Sequence, residues 1–133
     1  MYHVLPARNY LDLSYRDDMC LIINRVMRTL APTEAQEAYA LMLDAANDYG
    51  CQHWLIDLRC NSIYQPGLLT TFFPQPEDQL GKLTYLAYLV SPMLLNELEN
   101  HDEVPSPAFH NDLPFQVGVF IDELAAQKWL SAN

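Results

Sequence analysis

The fold of this chain is decided by the stretch HWLIDLR at residues 53–59, in which apolar residues follow one another until Asp57 interrupts them. A strand that is apolar on both faces is typical of a sheet covered by helices on both sides, and such sheets are usually parallel. Ligands of parallel α/β sheets bind at the edge where the strands end. Asp57 and Arg59 lie at that end, so we expect the protein to work at this edge.

The composition indicates a folded and acidic protein. The chain has 133 residues, of which 50% are hydrophobic and 18% charged, which predicts a single domain over residues 1–133 with one continuous core. Asp and Glu number 17 against 7 Lys and Arg, and the net charge of -10 opposes binding to nucleic acid or to anionic lipid. No apolar run approaches the ~20 residues that span a bilayer, so no membrane association is expected.

Residues 1–6 lack the charged and long apolar regions of a secretory signal, which favours a cytoplasmic location. The spacing of Cys20, Cys51 and Cys60 fits neither a C-x-x-C redox pair nor a zinc ribbon, so buried reduced thiols are expected. The polar residues around His101 and His110 share one loop and are expected to be solvated instead of binding a metal. The sequence therefore predicts no cofactor, no metal and no catalytic residue.

The hydrophobic pattern predicts five strands. Alternation at residues 10–15 and an apolar run at 19–26 indicate an amino-terminal antiparallel hairpin. Later strands are predicted at 53–59, 84–90 and 115–120, with the strand at 84–90 next to the strand at 53–59.

Four helices are predicted between and after these strands. The first begins with Thr33 as its cap and ends at Gly50, and a second, short helix begins at Pro66 and includes Phe72 and Phe73. The last two are capped by Ser91 and Asp122. The order β-β-α-β-α-β-α-β-α is that of an α/β fold, with a mixed, largely parallel sheet of about five strands flanked by about four helices.

This order, the strand WLIDLR at residues 54–59 and the ending VGVFIDELAAQKWL at residues 117–130 resemble the STAS superfamily. Within that superfamily, the chain more closely resembles small stand-alone bacterial domains similar to sporulation anti-sigma-factor antagonists, and the resemblance extends from about Tyr10 to near the carboxyl end. It implies a non-catalytic regulatory or binding module.

In the antagonist branch of that superfamily, a partner kinase phosphorylates a serine in an acidic turn after the central strand. The matching turn here is IYQPGL at residues 63–68, which has neither the acidic residue nor the serine. Ser62, Thr70 and Thr71 are the nearby hydroxyls, and such groups are usually caps or surface groups. The resemblance therefore implies the binding function without the phosphorylation switch.

Five residues make up the candidate binding region. Asp57 and Arg59 could orient a ligand, or they could only satisfy loop amides and each other. Tyr64, Phe72 and Phe73 could form an aromatic surface for a protein partner or a small apolar ligand, or they could pack on the sheet. Two alternatives stay open: an enzyme that uses the Asp57 and Arg59 edge on a small anionic substrate, and a lipid carrier, which would need a cavity of several hundred cubic ångströms.

The pattern also supports a homodimer. The half-polar strand at residues 10–15 is expected at an edge of the sheet, where unpaired backbone groups favour association. The aromatic surface around Phe72 and Phe73 is a second possible dimer interface. Because Asp57 lies near a strand end, Asp57→Leu is expected to be less damaging to folding than Ile56→Ala.

Overall fold

The computed structural model describes residues 2–5, 8–61, 63–74, 83–104 and 115–133. Within these ranges the chain forms a mixed six-stranded sheet, three α-helices and one 3-10 turn. The strands are β1 Tyr2–Leu5, β2 Leu11–Arg16, β3 Leu21–Val26, β4 His53–Asp57, β5 Thr84–Leu89 and β6 Phe115–Phe120. The helices are α1 Pro32–Tyr49, α2 Pro92–Asn100 and α3 Glu123–Ser131, and the 3-10 turn is Thr70–Phe72.

The strands lie side by side in the order of the sequence, from β1 to β6. β1, β2 and β3 pair antiparallel, and β3, β4, β5 and β6 pair parallel. This arrangement confirms the α/β class, the amino-terminal antiparallel hairpin and the pairing of the strand at 84–89 with the central strand. Because β3, β4, β5 and β6 are parallel, their carboxyl ends lie along one edge of the sheet.

The apolar run in β4 supplies both faces of the sheet. Trp54 and Ile56 point to one face, where they pack with α1, the 3-10 turn and α2. Leu55 points to the other face, where it packs with α3. Period-two alternation of side chains along a strand explains why an unbroken apolar run is needed here.

The larger core lies on the face of α1, and its helical contributors include Ala38, Met42, Leu94 and Leu98. The smaller core contains Leu21, Ile23, Leu55, Ala87 and Leu89 from the sheet together with Ala126 and Leu130 from α3. Helices therefore cover both faces, as the sequence predicts.

The first helix begins two residues earlier than the capping pattern predicts. Its N-cap is Ala31, and the carboxylate of Glu34 accepts a hydrogen bond from the Ala31 amide at 2.9 Å. Arg28 also donates to Glu34. The predicted cap at Thr33 is therefore wrong: the N-cap Ala31 has no side-chain hydrogen bond to the first-turn amides, and Glu34 instead binds the amide of the N-cap residue. The predicted stop is confirmed, since Gly50 closes the helix with a φ of 64°.

The caps of the other two helices are as predicted. The hydroxyl of Ser91 accepts a hydrogen bond from the Leu94 amide at 3.1 Å, and the carboxylate of Asp122 accepts one from the Ala125 amide at 3.1 Å. Both are standard N-cap contacts that satisfy one of the free amides in the first turn.

The count of elements differs from the prediction in two places. β1 was not predicted, and it pairs with β2, so the strand at residues 10–15 is not at the edge of the sheet. The segment after Pro66 forms turns and the 3-10 turn instead of an α-helix, because Gly67 has a φ of 72° that a right-handed helix cannot accommodate. No helix within the described ranges is long and apolar enough to cross a bilayer.

Candidate functional site at the carboxyl edge of the sheet

Four charged side chains meet where the parallel strands end. Arg25 lies in β3 directly opposite Asp57 of β4. Arg59 follows β4 by two residues, and Glu123 is the first residue of α3, which comes after β6. We call Arg25, Asp57, Arg59 and Glu123 the ion-pair cluster.

The cluster alternates cations and anions in a closed set of contacts. Arg25 Nη1 donates to Asp57 Oδ2 and to Glu123 Oε1, both at 2.9 Å. Arg59 donates to Asp57 through Nε at 3.0 Å and through Nη2 at 2.9 Å, and its Nη2 also reaches Glu123 Oε1 at 3.2 Å. The cluster is therefore neutral as a whole and joins β3, β4 and α3.

The two carboxylates of the cluster are held in their ionised form. Burial by itself raises the pKa of Asp57, but hydrogen bonds from Arg59 and Arg25 outweigh it and leave the pKa below its ordinary value. The hydrogen bond from Arg25 lowers the pKa of Glu123, and the same contact raises the pKa of Arg25. A carboxylate so firmly ionised and paired is poorly suited to accept or donate a proton near neutral pH.

A cleft of about 660 Å³ opens beside the cluster, between the segment that follows β4 and the start of α2. Arg59 lies at one side of it, and apolar side chains form much of its wall, with Ile63 and Met93 exposed by 62% and 72%. We call this space the edge cleft. Its lining residues are Arg59, Asn61, Ile63, Tyr64, Ser91, Pro92, Met93, Leu94 and Glu97.

Asn61 is the unusual polar residue of the edge cleft. Only 3% of its surface is exposed, and its Nδ2 has no hydrogen-bond partner among the described residues. It also lines a neighbouring cavity of about 30 Å³ below the 3-10 turn. A buried amide donor without a partner costs about 1 to 3 kcal/mol, and Asn61 Nδ2 has no partner among the described residues while being covered from solvent.

The start of α2 adds positive character to the same space. Ser91 and Pro92, its N-cap and first residue, both line the edge cleft. The amino end of a helix carries partial positive charge, which favours an acceptor or an anion nearby. The guanidinium of Arg59 and this helix end thus both favour an anion in the edge cleft.

No family model, curated protein or solved structure matches this chain.

The structure places the five predicted site residues in different settings. Asp57 and Arg59 lie at the sheet edge as predicted, the first buried and the second half-exposed. Tyr64 lines the edge cleft and stacks on His101 with 4.3 Å between ring centroids. Phe72 is 1% exposed, and Phe73 is partly buried against the same core, so these two rings take the packing role that the sequence also allowed.

The nearby described hydroxyls have local partners. Thr70 and Thr71 both donate to the Gly67 carbonyl, at 2.8 and 3.1 Å, while Ser62 lies outside the described residues. No group of three or more His, Cys, Asp or Glu side chains in the described part of the chain could hold a metal ion. His110 lies outside that part.

Three residues of the site were not singled out from the sequence: Arg25, Asn61 and Glu123. Arg25 had a detectable signal, because it follows the apolar run of β3 as Asp57 follows that of β4, and parallel register brings such residues together. Glu123 follows the cap residue Asp122, but nothing in the sequence shows that α3 starts beside β3. Asn61 is recognisable only from its burial.

Proposed function

We propose that this protein is a cytoplasmic, non-catalytic binding module of the STAS-like type, and that it binds a small carboxylate with an apolar body in the edge cleft. The observation that carries the proposal is the buried Nδ2 of Asn61, which lacks a partner within the described structure. A volume of about 660 Å³ lies within the ordinary range of small-molecule sites.

The polar end of the cleft supports an anionic head group. Arg59 binds Asp57 and Glu123 through Nε and Nη2, so within the described part of the chain its Nη1 is the donor left for a ligand. Together with the amino end of α2, and with Asn61 Nδ2 after a side-chain rotation that exposes this atom to the cleft, it would present donors to a carboxylate. Glu97 also lines the cleft and disfavours a second negative charge on the ligand.

The apolar walls support a hydrophobic body. Ile63 and Met93 are large hydrophobic side chains that are mostly exposed, and Leu94 and Tyr64 also line the cleft. Covering such side chains contributes about 25 cal/mol for each Å² of apolar surface removed from water. A medium-chain fatty acid has this combination of head and body, so the lipid-carrier alternative becomes one form of the proposed binding function.

The enzyme alternative receives less support. It would require Asp57 or Arg59 to act on a substrate, yet Asp57 is engaged by two guanidinium groups in the ion-pair cluster. Its lowered pKa also makes it a weak base. Binding without turnover is the simpler use of this edge.

The test is calorimetric titration with decanoate, with decanol and acetate as probes that lack the head or the body. We expect decanoate to bind and Asn61→Asp, which replaces the donor with a negative charge, to weaken it by about tenfold or more. Asn47→Asp adds the same charge on the exposed side of α1 and serves as the matched control. Equal decanoate affinity in the wild type and Asn61→Asp, or stronger binding of decanol, would contradict the proposal.

We also propose that the protein is a homodimer, although through other surfaces than first expected. β1 and β6 are the outermost strands of the described sheet, and Val4 on β1 is 82% exposed. Native mass spectrometry of freshly purified protein would report the oligomeric state and any retained carboxylate together. A 15.3 kDa species at every concentration would reject the dimer and leave the ligand proposal unaffected.

A further inference from the structure

The fold brings together two cysteines that are 31 residues apart. Cys20 lies in the turn between β2 and β3, and Cys51 follows Gly50 at the end of α1. Their sulfur atoms are 3.3 Å apart. A disulfide bond is about 2.05 Å long, so a combined movement of about 1.2 Å would join them.

Both cysteines are held in place by their backbones. The Cys20 amide donates to the Asp17 carbonyl at 3.4 Å within its turn, and Cys20 has a φ of 50°. The Cys51 amide donates to the Ala46 carbonyl at 2.9 Å as part of the helix end. The approach of the sulfur atoms therefore results from the positions of the turn and the helix.

From this geometry we propose that Cys20 and Cys51 are a redox modification site, which a hydroperoxide converts into a reversible intramolecular disulfide. Cys20 is partly exposed and Cys51 is buried, so the oxidant meets Cys20 first. Cys60 is exposed and is not part of the pair.

The reaction proceeds in two balanced steps. The Cys20 thiolate attacks one oxygen of hydrogen peroxide, the O–O bond breaks, and the products are Cys20 sulfenic acid and hydroxide. The Cys51 sulfur then attacks Cys20 Sγ, so that the S–S bond forms, the S–O bond breaks, and hydroxide leaves to become water with the Cys51 proton. Two thiols and one peroxide thus give one disulfide and two waters, and a small thiol such as glutathione reverses the change.

The electrostatics agree with this order of attack. Burial raises the pKa of the Cys51 thiol, and the neighbouring Cys20 raises it further. Cys51 is therefore a poor first nucleophile. Conversion of Cys20 into an uncharged sulfenic acid removes the influence by which Cys20 raises the pKa of Cys51, so the second step becomes easier.

The disulfide would fasten the turn between β2 and β3 to the end of α1. Tyr15 of β2 and Tyr49 of α1 already stack across this junction, with 4.1 Å between their centroids. Closing a loop of this length restricts the unfolded chain, so we expect oxidation to raise Tm by roughly 10 °C.

Tryptic digestion separates the three cysteines, because the cleavage sites place Cys20 in the peptide 17–25, Cys51 in 29–59 and Cys60 in 60–82. The folded protein is treated with hydrogen peroxide, its remaining thiols are blocked, and the peptides are analysed by mass spectrometry without reduction. We expect the linked pair 17–25 and 29–59, formed at least about tenfold faster than in concentrated urea. The pair should persist in Cys60→Ser and be absent from Cys20→Ser and Cys51→Ser.

Further measurements identify the attacking residue and the effect on the fold. In Cys51→Ser, dimedone should label Cys20 as a sulfenic acid, and circular dichroism should show that each serine variant keeps its structure. Links that involve Cys60, over-oxidation of Cys20 without a link to Cys51, or thiols that stay reduced would each overturn the proposal. An unchanged Tm in fully oxidised protein would overturn the predicted fastening of the turn to α1.

Discussion

Asp57 accepts hydrogen bonds from the guanidinium groups of Arg25 and Arg59 and from the Arg59 amide, while its side chain is only 9% exposed. Its carboxylate thus organises both cations of the ion-pair cluster. The position of Asp57 in the sequence, near a strand end, predicts that this site tolerates substitution. The contacts change that expectation, because removal of this buried carboxylate leaves two guanidinium groups with Glu123 as the one remaining carboxylate of the cluster.

At the scale of this residue, we predict that Asp57→Leu destabilises the protein at least as much as Ile56→Ala. The first leaves Arg25 and Arg59 with Glu123 as their shared carboxylate, which typically costs about 3 to 5 kcal/mol. The second opens a core cavity that typically costs about 2 to 5 kcal/mol. Urea unfolding of both variants, with Asp57→Asn as an intermediate case, measures the order. A urea midpoint for Asp57→Leu nearer to wild type than that of Ile56→Ala would contradict the prediction. It would show that water solvates the Arg25 and Arg59 guanidinium groups once Asp57 is removed.

Among the elements, the helix starts allow a direct comparison of predicted and observed caps. We predict that Ser91→Ala and Asp122→Ala each lower the free energy of unfolding by about 1 kcal/mol, because each removes a hydrogen bond to a first-turn amide. Thr33→Ala should change it by less than about 0.5 kcal/mol, since Thr33 is exposed and Ala31 occupies the N-cap. Thermal unfolding resolves the difference, and a Thr33→Ala loss equal to that of Ser91→Ala would mean that α1 begins later in solution.

The elements that sequence analysis predicts well are those determined by local chemistry. β4, β5 and β6 are recognisable from apolar runs, and Ser91 and Asp122 act within a few residues of their own positions. β1 has four residues and no clear alternation, and it exists because β2 offers a partner. Pairing of this kind depends on distant parts of the chain, which local patterns do not describe.

The residues of the candidate site also divide into those that local sequence patterns reveal and those that only the tertiary structure brings together. Asp57 and Arg59 were found because the end of a buried strand is visible in the sequence, whereas Glu123 comes to Arg25 from 98 residues away. The proximity of Cys20 and Cys51 was likewise missed, because neither cysteine belongs to a spacing motif and the contact depends on how a turn meets a helix end. Tertiary geometry, not composition, assembles these groups.

For the whole molecule, we predict that stability falls steeply as the pH is lowered below about 5. The folded pKa values of Asp57 and Glu123 lie below their ordinary values, and a hydrogen bond from Arg28 lowers the pKa of Glu34 to about 2. The unfolded chain therefore binds more protons in this range, so the stabilisation is complete above the unfolded values near 4 and is lost as the pH falls through the folded ones.

Urea unfolding between pH 7 and pH 3 measures this loss. Glu123→Gln should lower stability at pH 7 and make its pH dependence shallower, because one of the titrating groups is gone. Glu99→Gln, an exposed site on α2, is the control and should leave the slope close to that of the wild type. A wild-type midpoint that does not change over this range would contradict the assigned role of the paired carboxylates.

Arg59 belongs both to the ion-pair cluster that holds α3 on one side of the sheet and to the edge cleft next to α2 on the other. In the proposed complex, a ligand that draws this guanidinium toward itself competes with Glu123 for its donors. Occupancy of the cleft would then weaken the attachment of α3 to the sheet. By thermodynamic reciprocity, a partner that displaces α3 would increase the affinity of the cleft for the ligand. A single side chain at the rim could thus carry a signal between the two faces of the sheet without any rearrangement of the core.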